Sequence, residues 1–207
     1  MATALLEVML SWLLAKSKGH DAKSFYARPA FAGHAEQTVA VASPECGPSG
    51  AALRPEEHTH DGAGRFPTLQ WTAPPALADR VREWLLVCED PDAPLPTPIV
   101  HGIYSGIPAL KTRVEAADFV IDNAHQALLN GGFHYGKTRT GAVYIPPRPL
   151  LNHGPHRYFF MVVALGEPLD PGLLRSTPTR DQIANAIVGK VLGWGMWVGV
   201  AEPNFAS

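Results

Sequence analysis

The chain has 207 residues, of which 46% are hydrophobic and 17% charged, and a formal net charge of −2. This composition excludes a disordered chain, and the length suits one domain. So small a charge gives no field to draw in nucleic acid or an acidic membrane surface, and neither is an expected partner.

Twenty prolines and nineteen glycines favour strands joined by shaped loops over long helices. At the N-terminus, Leu5, Val8, Met9, Trp12 and Leu13 fall at helical spacing, and Gly19 is a plausible stop. Residues 1–18 are therefore predicted to form a helix packed on or beside the body. The run carries Glu7 and is too short to span a bilayer. Its apolar face also suits a homodimer contact. A short strand follows within "HAEQTVAVAS". Residues 44–64, rich in Gly, Pro, Glu and His, predict an exposed loop with His58 and His60 in solvent.

Beyond this loop, "RFPTLQWTAPP" alternates weakly and predicts a short strand. "REWLLVCED" is a continuous apolar run of strand length, and "PIVHGIYSGIP" is another, ended by Gly106 and Pro108. "VYIPPRPLLNHGP" is a proline-constrained loop, and "HRYFFMVVAL" is the strongest strand signal in the chain. In "TRDQIANAIVGKVLGWG", Ile183, Ala186, Ile187 and Val191 have helical spacing, with Thr179 as N-cap. A short last strand is predicted at "MWVGVAEP", and the Trp-rich tail reads as core or dimer contact. No internal repeat or linker divides the chain, so residues 1–207 are expected to form one domain.

Two short stretches carry polar groups that a core does not need. In "CEDPDAP", Pro91 and Pro94 stiffen the turn after a strand. Asp90 and Asp92 converge if that segment stays extended; otherwise they cap local turns. In "GPHRYFF", alternation puts His156 and Tyr158 on one face and Arg157 on the other, where an ion pair to Asp92 or Asp90 is expected. His101 stands in the apolar strand after the aspartate turn. Neither Cys46 nor Cys88 has an obvious histidine neighbour in sequence, and no Gly-x-Ser-x-Gly elbow occurs. Both cysteines are expected to be free, and Cys88 buried. No Asn-x-Ser/Thr acceptor is present, and a cytoplasmic location is the expectation.

"DPDAP", a histidine opening a strand that ends in Ile-Pro, and "PPRP…GPHRYFF" resemble the phosphatidylethanolamine-binding protein family, which includes the Raf kinase inhibitor proteins. The spacing is similar to the bacterial and fungal branch. The resemblance covers about Phe66 to Pro203 and implies a mostly β fold, an antiparallel β-sandwich with peripheral N-terminal and C-terminal helices. It implies an anion-accepting pocket lined by Asp90, His101, His156 and Tyr158, with Pro146 and Pro147 on the rim; Asp92 joins the candidate ligand-binding set. The implied ligand is a phosphate, a carboxylate or a polar metabolite. No cofactor or metal is implied, although two histidines and a carboxylate are also suitable zinc or iron ligands. Gly102, where the family has an aromatic residue or a second histidine, is expected to open space beside the site.

Two functions follow. One is ligand binding, with a regulatory role. The other is an enzyme using Asp90, His101 and His156 as an acid–base set for epimerisation, cyclisation or proton transfer on a small biosynthetic metabolite.

Overall fold

The computed structural model describes residues 18–151 and 153–202. The helix expected over residues 1–18 thus falls, except for Lys18, outside the described residues. Strands β1 (Ala40–Ala42), β2 (Leu69–Thr72), β3 (Glu83–Asp90), β4 (Ile99–Pro108), β5 (Arg113–Val114), β6 (Ile121–Asn123), β7 (Leu128–Leu129), β8 (His134–Tyr135), β9 (His156–Leu165) and β10 (Val191–Ala201) form two antiparallel sheets. The small sheet runs β1-β2-β5, and the large one β10-β9-β3-β4-β8-β7-β6. This is the mostly β sandwich that the sequence predicted.

The large sheet is covered on both faces, which explains its continuous apolar runs. On its inner face Trp84, Leu86, Cys88, Tyr104, Phe160 and Trp197 pack against Leu69, Trp71 and Val114 of the small sheet. On its outer face Leu85, Val87, Ile103, Met161 and Val163 pack under Phe25, Phe31, Leu174 and Ile183. Those covering residues come from helical turns near the start of the described chain and from helices near its end. Each half of the period-two alternation therefore meets its own core.

The four α-helices among the described residues are short: α1 (Pro55–His58), α2 (Pro75–Ala78), α3 (Pro171–Arg175) and α4 (Arg180–Ala186). The last is shorter than its apolar spacing suggested. Val191 belongs to β10, which runs for 11 residues, so the short final strand of the prediction is a long one. The reason is packing. A Cβ at Gly195 would lie 1.8 Å from the Val39 carbonyl oxygen, and one at Gly193 2.3 Å from Thr38 Oγ1. These glycines let the segment before β1 cross closely over the strand. Trp194 and Trp197 are buried core residues, and Trp197 Nε1–H donates to the Gly47 carbonyl at 3.0 Å.

The predicted cap of α4 forms a reciprocal capping box: Thr179 Oγ1 accepts from the Gln182 N–H, and Gln182 accepts from the Thr179 N–H. Thr179→Ala is expected to cost about 1 kcal/mol, read as a lower urea midpoint at unchanged slope. The helix is clamped to the sheet by Arg180, whose Nε–H donates to the fully buried Glu89 carboxylate.

Residues 44–64 depart from the expected exposed loop. Glycines and acids there do face solvent, but Leu53 and His58 are buried, at 2% and 1% exposure. The loop contains α1, which carries His58 inward. Cys46 and Cys88 are free, and Cys88 is buried. Among the described residues, no helix is long and apolar enough to cross a membrane.

Candidate functional site

Strand β9 leaves the core at its first residue, His156, opposite Ala201 at the end of β10. Alternation from Phe160 on the inner face puts Tyr158 and His156 on that same face. Strand β3 ends alongside, and the same count from Cys88 places Asp90 there too. His156 Nδ1–H accordingly donates to Asp90 Oδ2 at 2.8 Å, with both side chains buried.

Asp90 is held by the proline turn itself. Its Oδ1 accepts from the N–H groups of Asp92 and Ala93, at 2.8 and 3.0 Å. The turn-capping and site readings of Asp90 are therefore both realised, one on each oxygen.

His101 reaches this face through a bulge. Val100 pairs with Glu89 and Gly102 with Cys88, so His101 is the extra residue. Without it, His101 would share the outer face with Ile103. The bulge turns the ring inward, where it meets Tyr158 edge-on, centroids 5.0 Å apart at 85°. Its Nδ1–H donates to the Ile145 carbonyl at 2.5 Å. That leaves Nε2 with its lone pair, buried and without a partner among the described residues.

Burial depresses the His101 pKa, against the opposing pulls of the Ile145 carbonyl and Asp90, so the ring is neutral at pH 7. Burial also holds the Tyr158 phenol well above its ordinary value, with the Asp90 charge acting in the same sense. The His101 ring is expected to titrate below the ordinary histidine value of 6.5, with Nδ1 protonated and Nε2 bare, as read by long-range proton–nitrogen NMR. With its folded pKa depressed, the stability His101 contributes is present above the unfolded value. It is lost as pH falls through the folded one.

His153 was missed by sequence reasoning. It is 4% exposed, and its Nδ1 lies 2.7 Å from His156 Nε2. Asp90, His156 and His153 thus form a hydrogen-bonded chain: with the neutral His156 ring protonated at Nδ1 toward Asp90, its Nε2 accepts from the His153 Nδ1–H. The spacing His-Gly-Pro-His was the available signal.

Two expectations are corrected. Asp92 does not converge with Asp90. Its carboxylate accepts from Arg157 Nε–H at 2.9 Å, Nη2–H at 2.8 Å and the backbone N–H at 2.9 Å, and from the Gly19 N–H at 3.1 Å. Burial alone would raise its pKa, but the Arg157 hydrogen bonds outweigh this and lower it. Asp92 is a strut, and Arg157 extends it to Asp21. Nor does Gly102 open the site. A Cβ there would lie 2.3 Å from the Tyr104 hydroxyl, so that ring already fills the space.

Pro146 and Pro147 follow Ile145, which brackets His101 with two hydrogen bonds. They tie the site to the 59–64 turn: Pro146 packs against Gly64, and the Pro147 carbonyl accepts from the His60 N–H at 2.9 Å.

This arrangement can be set beside known proteins. A family profile described as phosphatidylethanolamine-binding protein matches residues 44–202. The "Phomoidride biosynthesis cluster protein B" of Fungal sp. is 44% identical over 203 residues, 97% of this chain and 96% of that protein. The protein of the same name from Talaromyces stipitatus is 42% identical, covering 97% of this chain and 82% of its own length. The crystal structure of Escherichia coli YbcL, described as a member of the mammalian PEBP family, superposes with a TM-score of 0.64 at 21% identity. That match covers 81% of this chain and 99% of YbcL.

Proposed function

We propose a function for a chain that belongs to the phosphatidylethanolamine-binding protein family: it binds a small polar metabolite and moves a proton on it, as one step of a biosynthetic pathway. The observation that carries this is the bare, buried Nε2 of His101, on the same sheet face as the Asp90–His156–His153 chain. A buried lone pair without a donor suits a ligand that brings its own acidic proton, such as a carboxylic acid or an enol. The His156–His153 pair offers a second site for that proton, with Asp90 fixing the orientation of His156. Pro146 and Pro147 form the rim. Tyr158, held protonated by burial, positions His101 and offers a hydroxyl.

The biosynthetic role is supported by the names of the two fungal relatives. Binding is the first half of the proposal and turnover the second. The test is deletion of the gene in the organism that carries it, with extracts profiled by mass spectrometry. Loss of a product and accumulation of a precursor are expected, restored by the wild-type gene and not by His101→Phe or Asp90→Asn. Full restoration by both variants would defeat the proton-transfer reading. An unchanged profile in the deletion strain would defeat the biosynthetic role as well.

A further inference from the structure

A second cluster of chemically capable side chains lies in the 44–64 segment, apart from the site above. The turn closed by the Ser43–Gly47 bridge presents Cys46, and α1 carries His58 inward. Cys46 Sγ lies 3.5 Å from His58 Nε2, and Glu45 Oε1 lies 3.8 Å from the same nitrogen. The three donor atoms all fall within 4.8 Å of one another. His58 Nδ1–H donates to the Arg65 carbonyl at 3.0 Å, which leaves the Nε2 lone pair directed into the cluster. Such an outer hydrogen bond is the usual way a metal-binding imidazole is held in the correct tautomer.

The distances suit one metal. Zn–S near 2.3 Å and Zn–N near 2.0 Å at a tetrahedral angle put sulfur and nitrogen about 3.5 Å apart, the separation found here. The same geometry asks for about 3.4 Å between nitrogen and a carboxylate oxygen. Glu45 is 31% exposed, and a small rotation closes that difference. Glu45 also accepts from the Thr68 N–H, which aims its carboxylate. The neighbouring arginines, Arg54 and Arg65, are both paired with Glu57, and Arg54 also reaches the second Glu45 oxygen, Oε2, at 4.0 Å.

We propose that Glu45, Cys46 and His58 form a zinc site with three protein ligands and an open fourth position. Glu45 and His58 also line a cavity of about 220 Å³, with Arg65, Thr68 and Glu115 on its walls. The fourth position opens toward that cavity and takes water or a small oxyanion. Zinc binds the thiolate, so uptake is expected to release the thiol proton.

The test is titration of the purified, chelator-treated full chain with Co²⁺ and then Zn²⁺. One Co²⁺ per chain is expected, with a thiolate-to-cobalt charge-transfer band and the intense visible bands of a tetrahedral ion, all bleached by Zn²⁺. Cys46→Ser is expected to abolish the thiolate band. His58→Gln should do the same, but His58 is buried, so that variant tests the fold as well as the ligand. The partly exposed Glu45→Gln is therefore the second variant, with weaker uptake and an unchanged circular dichroism spectrum. His156→Gln is expected to keep the band, which separates this site from the other histidines. Uptake without a thiolate band, a band that survives Cys46→Ser, or fast alkylation of Cys46 with no metal uptake would each overturn the proposal.

Discussion

Arg180→Met is expected to lower the folding free energy by about 3–5 kcal/mol at neutral pH, the cost of leaving a buried charge without its partner. Glu89 is fully buried on the outer face of the sheet, and the Arg180 side chain is only 11% exposed, so solvent does little to screen the pair. With Arg180 gone, the hydrogen bond left to Glu89 among the described residues is the Phe25 N–H, at 2.8 Å on Oε2, with the Arg28 charge acting at longer range. Arg180 also donates to the Lys23 carbonyl at 2.6 Å, so the loss unfastens the first described helical turns along with α4.

The pH dependence has a definite sign. Burial is the largest influence on Glu89 and already raises its pKa above the ordinary 4.5, with Arg180 the main opposing pull. Removing Arg180 raises it further. A raised carboxyl contributes stability that is complete below the unfolded pKa and lost as pH rises through the folded one. The deficit of the variant is therefore larger at neutral than at mildly acid pH. Urea unfolding at several pH values reads this directly. Glu89→Gln combined with Arg180→Met is expected to recover part of the loss, because no charge is then buried. A loss below about 1 kcal/mol, as for an exposed pair, would show that the ion pair does not clamp the helix.

The second large effect concerns chemistry. Under the proposed proton-transfer function, Asp90→Asn is expected to reduce turnover by about 10²–10⁴, the range of a positioned acid–base group, with a small change in stability. Asparagine keeps the oxygen that accepts from Asp92 and Ala93, so the turn survives. It presents an N–H₂ to His156 Nδ1 where a carboxylate accepted before. The His156 proton must then move to Nε2, which reverses the hydrogen bond to His153. Nitrogen shifts of His156 report the tautomer independently of any substrate, and the rate is read by following product formation. An unchanged tautomer would remove the role given to Asp90. A changed tautomer with unchanged turnover would leave the chain of rings structural.

Much of this was legible in the residues. The runs "REWLLVCED" and "HRYFFMVVAL" announced central strands, and alternation within the second put His156 and Tyr158 on one face and Arg157 on the other. Pro91 and Pro94 marked a stiff turn, and an Arg157 ion pair to Asp92 or Asp90 was expected. Other features had no local signal. The bulge that turns His101 inward depends on the register between β3 and β4. Arg157 meets Asp21 across 136 positions, and Cys46 meets His58 across a loop that composition alone places in solvent. His153 had only a spacing to mark it.

The sequence by itself determined the strands, their faces and the stiff proline turns, because hydrophobic periodicity and proline geometry act within a few residues, and its motifs carried the resemblance that implied the sandwich and the family. Tertiary structure decided which polar groups meet, since register, bulges and close backbone crossings depend on partners far along the chain. Thus Asp92 became a strut while Asp90 joined His156. Gly102 made room for Tyr104, and the glycines of β10 let another backbone pass.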